Sequence, residues 1–187
     1  MLDGVLPTRL PVLTHGPVRL RAFRETDAGL VASVAEDPLI PLITTVPTAG
    51  GRDAASAYIA RQHHRLESGA GYSFAIATAT TDEAVGQIGL WMKDHDQGRA
   101  NVGYWIGPRH RRRGYVTAAL HAVSRWGLTL DGIARLEVYV EPWNQGSWRA
   151  AERVGYQREG LLRSWQAVGR ERRDMYMYSL LKGDLPG

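Results

Sequence analysis

The stretch of this chain with the clearest chemical potential is residues 111–117, which read Arg-Arg-Arg-Gly-Tyr-Val-Thr. It follows a strand-like segment, residues 101–106, and runs directly into a helical pattern with apolar residues at Val116, Leu120 and Val123. This order brings free backbone N–H groups, the positive end of a helix dipole and several guanidinium groups to one point. An anionic phosphate group needs that combination, so the stretch predicts a pyrophosphate-binding loop.

A second polar pair, Asn144 and Ser147, lies three residues apart at the start of a later helical pattern. Residues three apart in a helix are neighbours, so both side chains belong to its first turn. Asparagine is a preferred N-cap residue, and a first-turn serine is common, so a purely structural role is open to both. A capping side chain can also hydrogen-bond a bound ligand, and the two roles are compatible.

Composition excludes several other chemistries. The chain has 187 residues and no cysteine, so it has no thiolate nucleophile, thiolate metal site or disulfide framework. His63 and His64 are adjacent in a helical pattern, so their rings point in different directions and no metal site is predicted. No run approaches the roughly 18 apolar residues of a membrane span and no signal peptide is recognisable, so a cytoplasmic protein without membrane contact is expected. The formal charge is only +4, which does not favour general nucleic-acid binding.

Periodicity and turn signals predict the elements that must position these residues. A period near two predicts six strands, over residues 17–23, 74–78, 88–92, 100–106, 134–140 and 175–180. Helical spacing predicts four helices, a short one from Thr26 and three over about 53–67, 115–130 and 144–155. Residues 38–50 contain three prolines and are expected to form a loop. The order of hairpins followed by α/β crossings predicts an α+β fold with a mixed, mostly antiparallel sheet.

Four segments in this order resemble the GNAT acetyltransferase superfamily, and specifically its RimJ/RimL-like branch. They are residues 19–27, 85–90, 102–108 with the arginine loop, and 144–156 followed by Glu159 and Gly160. The resemblance spans nearly the whole chain and implies a single domain over residues 1–187, with its core at about 17–182. It also implies a central sheet of six or seven strands, about four flanking helices, and splayed strands that form a coenzyme A cleft.

The resemblance assigns a cofactor site to the arginine loop. Backbone amides from Arg112 to Thr117 would hold the pyrophosphate of acetyl-CoA, and the end of the preceding strand would pair with the pantetheine arm as an added strand does. The loop departs from the family pattern at Val116, where a small residue is usual. The cofactor-binding residues expected on this basis are Trp105, Ile106, Arg111, Arg112, Arg113, Gly114, Tyr115, Val116, Thr117, Asn144 and Ser147.

For catalysis, the resemblance gives Ser147 the role of protonating the leaving thiolate, with Tyr104, Tyr139 and Tyr156 as substitutes. Many relatives carry a glutamate just before the Val-Gly-Tyr-Trp motif, and here that position is Asn101, which cannot usefully accept a proton at neutral pH. The base must therefore come from elsewhere or act through water. The first candidate is Glu137 on the following strand. The others are Glu141 on that strand, His95 in the preceding turn and Asp174 near the last strand.

The implied reaction is transfer of an acetyl group from acetyl-CoA to a primary amine, by direct attack in a ternary complex that releases coenzyme A. The acceptor stays open between a protein N-terminal α-amine and a small-molecule amine, and longer acyl donors also stay open. Trp91 and Trp165 are expected to line the acceptor pocket. A catalytically weak CoA-binding or regulatory protein is the alternative, motivated by Asn101 and Val116. A homodimer is compatible with the resemblance, but no segment specifies an interface.

Overall fold

Eight strands form one continuous sheet in the computed structural model, which describes residues 6–48 and 51–184. In chain order they are β1 Leu13–His15, β2 Val18–Arg21, β3 Gly71–Thr78, β4 Ala84–Trp91, β5 Arg99–Ile106, β6 Arg135–Val140, β7 Gln157–Val168 and β8 Glu171–Leu181. Their order across the sheet is β1-β2-β3-β4-β5-β6-β8-β7. Neighbours pair antiparallel except β5 and β6, which pair parallel.

Five α-helices accompany the sheet in the described residues. They are α1 Ala28–Ser33, α2 Ile40–Ile43, α3 Arg52–Glu67, α4 Tyr115–Gly127 and α5 Gln145–Val154. Short 3-10 turns add to them at Glu25–Asp27, His95–Gln97, Pro108–His110 and Lys182–Asp184. No helix in this part of the chain is both long and apolar enough to cross a membrane.

The two faces of the sheet are covered by different helices, because alternate residues of a strand point to opposite faces. Leu90 and Val102 are partners across β4 and β5, and both pack in the larger hydrophobic core with Leu120 of α4. Trp105 lies on the opposite face and packs in a second core with Tyr58 of α3. Both cores are almost completely shielded from solvent, so α3 and α4 hold the central strands from either side.

The sheet opens between β5 and β6. Their parallel pairing covers three residues on each strand, 99–101 against 135–137. Beyond that point β5 continues to Ile106 and β6 to Val140 without pairing with each other. The carboxyl halves of the two strands are therefore splayed, and a cleft connects the two faces of the sheet there.

The predicted α+β class and mostly antiparallel sheet are confirmed, and each of the six predicted strands is present with small shifts of its ends. The structure adds β1 and β7, which the periodicity did not single out, and places the four-residue α2 inside the predicted loop 38–50. Most of β7 is exposed, so its sequence carries no alternation of apolar residues. Residues 49 and 50 of that loop lie outside the described residues.

Candidate active site

The splayed cleft opens into a cavity of about 550 Å³. Residues 101–104 of β5 and residues 138–141, at the end of β6 and just beyond it, contribute opposite walls. The rest of the lining comes from β4, the segment around α2, α3, the start of α5 and the β7–β8 hairpin. Because β5 and β6 are parallel, the helices that follow them, α4 and α5, begin at the same edge of the sheet. This geometry brings the arginine loop to the edge at which Asn144 and Ser147 line the cavity.

Two hydroxyl groups meet across the cleft. The Ser147 Oγ and the Tyr104 Oη are 2.8 Å apart, and the tyrosine hydroxyl is also 3.3 Å from the Ser147 carbonyl oxygen. Burial raises the pKa of Tyr104 to about 12, against the lowering effect of its hydrogen bond with Ser147. Tyr104 is therefore protonated at neutral pH, and the pair can pass a proton toward a group that binds beside Ser147.

Asn144 is the N-cap of α5. Its side-chain oxygen accepts a hydrogen bond from the Ser147 backbone N–H at 3.3 Å, which fixes the first turn of the helix. Asn144 also lines the cavity, so its capping role leaves its amide N–H₂ available to a bound molecule.

The arginine loop has the backbone of an anion-binding nest. Arg112 has φ +60° and Gly114, the N-cap of α4, has φ +77°, so two left-handed residues curl the chain just before the helix. The backbone N–H groups of residues 112–117 donate no hydrogen bond to the rest of the described chain. Unpaired amides at a helix N-terminus form the kind of site that binds phosphate.

The three loop arginines are not equivalent. Arg111 donates from Nε to the Ile106 carbonyl at 3.2 Å and from Nη2 to Asp37 at 2.7 Å. Although burial acts to raise the pKa of Asp37, hydrogen bonds from the Ile40 and Leu39 backbones and from Arg111 lower it below its usual value. Arg111 thus anchors the loop to the segment before α2.

Arg112 and Arg113 are exposed, and neither forms a hydrogen bond or ion pair with another described side chain. Both guanidinium groups are free to meet an anion at the loop. Val116, the departure from the family pattern, is half-buried and packs against the larger hydrophobic core. Its side chain is turned toward the protein, so it leaves the loop amides accessible.

Trp105 and Ile106, predicted to contact the cofactor, lie on the part of β5 that is not paired with β6. Their side chains are buried, and the Trp105 indole N–H donates to the Tyr58 hydroxyl at 3.3 Å. Only the backbone N–H and C=O groups of these residues, on the unpaired edge of β5, are placed to pair with an extended ligand.

The candidate bases separate by position. Glu141 lines the cavity and is 8% exposed, and one of its oxygens accepts a hydrogen bond from the Trp143 indole at 2.5 Å. Glu137 is also buried but does not line the cavity. Arg135 donates to one of its oxygens and Tyr139 to the other, each at 2.8 Å. The geometry favours Glu141, since the carboxylate of Glu137 is engaged by protein groups.

The other two candidates lie away from the cavity. The His95 Nε2 is 2.9 Å from the Asp131 carbonyl oxygen, in the turn before β5. Asp174 accepts a hydrogen bond at 2.7 Å from the Ser164 backbone, in the β7–β8 hairpin. Neither residue lines the cavity.

The two other candidate proton donors, Tyr139 and Tyr156, also differ in whether they line the cavity. Tyr156 is in the core, where its hydroxyl bonds Ser124 at 2.8 Å and burial raises its pKa. Tyr139 lines the cavity, and burial together with its hydrogen bond to Glu137 raises its pKa to about 12. The exposed Trp165 stacks on the Tyr139 ring with 5.6 Å between centroids, so it reaches the site through that tyrosine.

Sequence reasoning missed the contribution of α3. Tyr58, Gln62 and Arg65 all line the cavity, and their spacing of four and three residues places them on one face of the helix. Trp91, which the sequence predicted for the acceptor pocket, also lines the cavity and lies under the Arg65 guanidinium. The helical spacing of Arg65 from Tyr58 and Gln62 was the signal that could have found it.

The comparisons with known proteins bear on the family. A family model described as an acetyltransferase (GNAT) domain matches residues 18–157, which is most of the chain. The chain belongs to the GNAT acetyltransferase family. The four-segment resemblance is thereby confirmed, and no group of three histidine, cysteine or acidic side chains that could hold a metal ion occurs in the described part of this GNAT chain.

The uncharacterized N-acetyltransferase p20 of Bacillus licheniformis is 36% identical to this chain over 114 residues, 61% of this chain and 64% of p20. The chain thus spans a little under two thirds of the length of that relative.

Two solved structures share the GNAT fold of this chain. RimJ of Mycobacterium smegmatis, in complex with a CoA disulfide, has a TM-score of 0.82 at 23% identity and covers 98% of this chain and 93% of its own. An acetyltransferase of the GNAT family from Bacillus anthracis has a TM-score of 0.76 at 19% identity, over 92% and 99% of the two chains. Both likenesses show a shared fold.

Proposed function

We propose that this protein transfers an acetyl group from acetyl-CoA to a primary amine. The observation that carries the proposal is the splay of β5 and β6, which places the Ser147–Tyr104 hydroxyl pair and the Glu141 carboxylate in one cavity. Acetyl-CoA supplies an acetyl group activated as a thioester. In this proposal the hydroxyl pair is the proton donor and the Glu141 carboxylate is the proton acceptor.

The donor side of the proposal rests on the fit between the protein and coenzyme A. The free amides of residues 112–117 and the exposed Arg112 and Arg113 suit a pyrophosphate group. The unpaired edge of β5 suits an extended chain that carries amide groups, as the pantetheine arm does. The complex of RimJ with a CoA disulfide supports the same cofactor.

Each step of the transfer has a residue assigned to it. Glu141 accepts a proton from the amine, directly or through water, as the amine nitrogen forms a C–N bond with the acetyl carbonyl carbon. Ser147 donates a proton to the sulfur as the C–S bond breaks, and Tyr104 replaces that proton through the hydrogen bond of 2.8 Å. Holding both substrates in one cleft supplies much of the rate by orientation alone.

We propose only the class of the acceptor, which is a primary amine, either a protein N-terminal α-amine or a small-molecule amine. A panel of such amines, assayed for release of the coenzyme A thiol, tests the transfer. Thiol release that depends on the amine, with an acetylated product detected by mass spectrometry, is expected. Acetyl-CoA that raises the melting temperature while no amine accelerates thiol release would instead support a CoA-binding protein without transferase activity.

A further inference from the structure

We propose that Arg65, held on the ring of Trp91, is a carboxylate-recognition group and that the acceptor is a primary amine that also carries a carboxylate. This inference rests on the proposed function and narrows its acceptor. It names a specificity-determining residue on α3, whose side chain lines the cavity.

Trp91 lies flat on the sheet because two glycines leave room for it. Gly89 and Gly103 are partners across β4 and β5. A Cβ atom on Gly89 would come within 2.1 Å of the indole ring, and one on Gly103 within 3.0 Å of the indole nitrogen. The bare glycine pair therefore accommodates the indole as a rigid platform, with its other face directed toward α3.

Arg65 is fixed on that platform by neutral partners. Its guanidinium carbon is 4.5 Å from the centroid of the Trp91 ring system, a cation–π contact. Its Nε donates to the Gln62 side-chain oxygen at 3.1 Å, and its Nη2 donates to the Thr45 hydroxyl at 3.2 Å. These contacts set the direction of the guanidinium and leave its charge uncompensated.

Other arginines of the fold are paired with carboxylates. Arg21 bonds Asp27, Arg111 bonds Asp37, and Arg135 bonds Glu159. No acidic side chain of the described residues lies within ion-pair distance of Arg65. A half-buried arginine with a fixed orientation and no acidic partner is suited to bind a carboxylate through two parallel hydrogen bonds.

The charges that line the cavity match a molecule of both signs. Among the described residues that line the cavity, Arg65 is the one basic residue and Glu141 the one acidic residue. They come from different walls, since Arg65 lies on α3 and Glu141 directly follows the last residue of β6. An amine directed to Glu141 would leave the rest of the acceptor to extend toward Arg65, so a carboxylate there would neutralise the remaining charge.

The test compares acceptors that differ only in whether they carry a carboxylate or the corresponding amide. One pair is γ-aminobutyrate and its amide, and the other is a tripeptide amide with aspartate or asparagine at its second position. The wild-type protein is expected to prefer the carboxylate member of at least one pair by about 10- to 100-fold in kcat/KM, which corresponds to the strength of charge-assisted hydrogen bonds. A preference in the first pair indicates a small molecule, and one in the second indicates a peptide N-terminus.

Variants of α3 assign the preference to Arg65. Arg65→Gln is expected to abolish it while the amide acceptors keep their rate, and Arg65→Lys is expected to retain part of it. Arg61→Gln is the matched control, because Arg61 lies one turn earlier on α3, is exposed and also donates to Thr45. In the wild type, added salt is expected to raise KM for the carboxylate acceptors more than for the amides.

Equal kcat/KM for both members of each pair in the wild type would overturn this assignment and leave the transferase proposal standing. So would an Arg65→Gln variant that slows both members equally, or one that raises KM for acetyl-CoA alone. No acetylation of any acceptor would overturn the transferase proposal, and the assignment with it.

Discussion

At the level of single residues, the proposed mechanism depends most directly on the contact between Ser147 and Tyr104. The serine is on the first turn of α5, and the tyrosine is on the splayed half of β5, so the hydrogen bond spans the two elements that flank the cleft. Tyr104 remains protonated at neutral pH because burial raises its pKa to about 12. In the proposed mechanism, the pair supplies the proton to the leaving thiolate.

Replacing this serine tests that role. Ser147→Ala is expected to lower kcat by about 100-fold, the lower end of what a positioned proton donor contributes, with little change in KM for acetyl-CoA. Steady-state thiol release measures both constants. Ser33→Ala is the control, because Ser33 is an exposed serine on α1, away from the cavity. Unchanged turnover in Ser147→Ala would remove Ser147 from the mechanism.

The two buried glutamates of the β6 region give a second prediction. Glu141→Gln is expected to lower kcat by about 100-fold at neutral pH, because the amine then loses its proton acceptor. Higher pH should restore part of the rate, since more of the amine is then unprotonated. Glu137→Gln is expected to act mainly on stability, because it weakens the contacts with Arg135 and Tyr139. The opposite order of effects, with Glu137 needed for turnover and Glu141 not, would contradict this assignment.

At the level of elements, we propose that the turn before α4 binds the donor. Gly114 has φ +77°, and a Cβ atom added there would meet no neighbour within 4 Å, so a substitution would be strained but not crowded. Arg111 ties the start of the same turn to Asp37. The nest thus depends on backbone conformation more than on any one side chain.

Gly114→Ala is expected to raise KM for acetyl-CoA several-fold, because an L-residue in the left-handed region costs about 1–2 kcal/mol and favours a different turn. Titration calorimetry with coenzyme A measures the loss of affinity directly. Gly29→Ala is the matched control, since Gly29 is exposed on α1 with no neighbour near its Cβ position. It should leave affinity unchanged and add slightly to stability. Equal affinity in both variants would contradict a cradle made by this turn.

The strands that the sequence predicted are those in which apolar residues recur with a clear period. Residues 74–78 and 88–92 alternate because one face of β3 and of β4 packs in the larger core, and the arginine loop is marked by its own turn chemistry. β7 lacks such a pattern because most of its side chains are exposed. It pairs with β8 as a hairpin, and that pairing depends on tertiary contacts rather than on local periodicity.

The candidate site, like the fold, could be predicted from the sequence only in part. The spacing of Asn144 and Ser147 predicted a shared helical turn, and both line the cavity. The choice between Glu137 and Glu141 could not be made from the sequence, because both lie in the β6 region. The proposed choice of Glu141 rests on the point at which β5 and β6 separate, which follows their pairing across 99–101 and 135–137.

At the level of the whole molecule, an ion-pair network holds the far end of the sheet together. Arg135 of β6 donates two hydrogen bonds to Glu159 of β7, at 2.8 and 2.6 Å, and Ser179 of β8 also bonds Glu159. The hydrogen bond from Arg135 is the main cause that lowers the pKa of Glu159 to about 2, with Ser179 adding to it and burial opposing it. The network links three neighbouring strands.

This network predicts a pH dependence of stability. Glu159 titrates near its usual pKa in the unfolded chain and near 2 in the folded one, so the unfolded state binds the proton first as the pH falls. Its contribution is present above about pH 4.5 and is lost as the pH falls toward about 2. Because the side chain is 43% exposed, solvent limits that contribution to no more than about 1 kcal/mol.

Urea unfolding of the wild type and of Glu159→Gln between pH 6 and pH 2 measures this contribution. The variant is expected to be less stable at pH 6, and its free energy of unfolding should fall less steeply with acid. Parallel pH profiles for the two proteins would show that Glu159 does not stabilise the fold through its charge.

The central claim is that donor and acceptor meet in the gap between β5 and β6 and react directly. Initial rates of thiol release, measured while acetyl-CoA and a primary amine are varied together, test it most directly. The account predicts release that depends on the amine and double-reciprocal lines that intersect, because both substrates are bound when the acetyl group moves. Release that is independent of the amine, or parallel lines that indicate an acetylated protein intermediate, would contradict it.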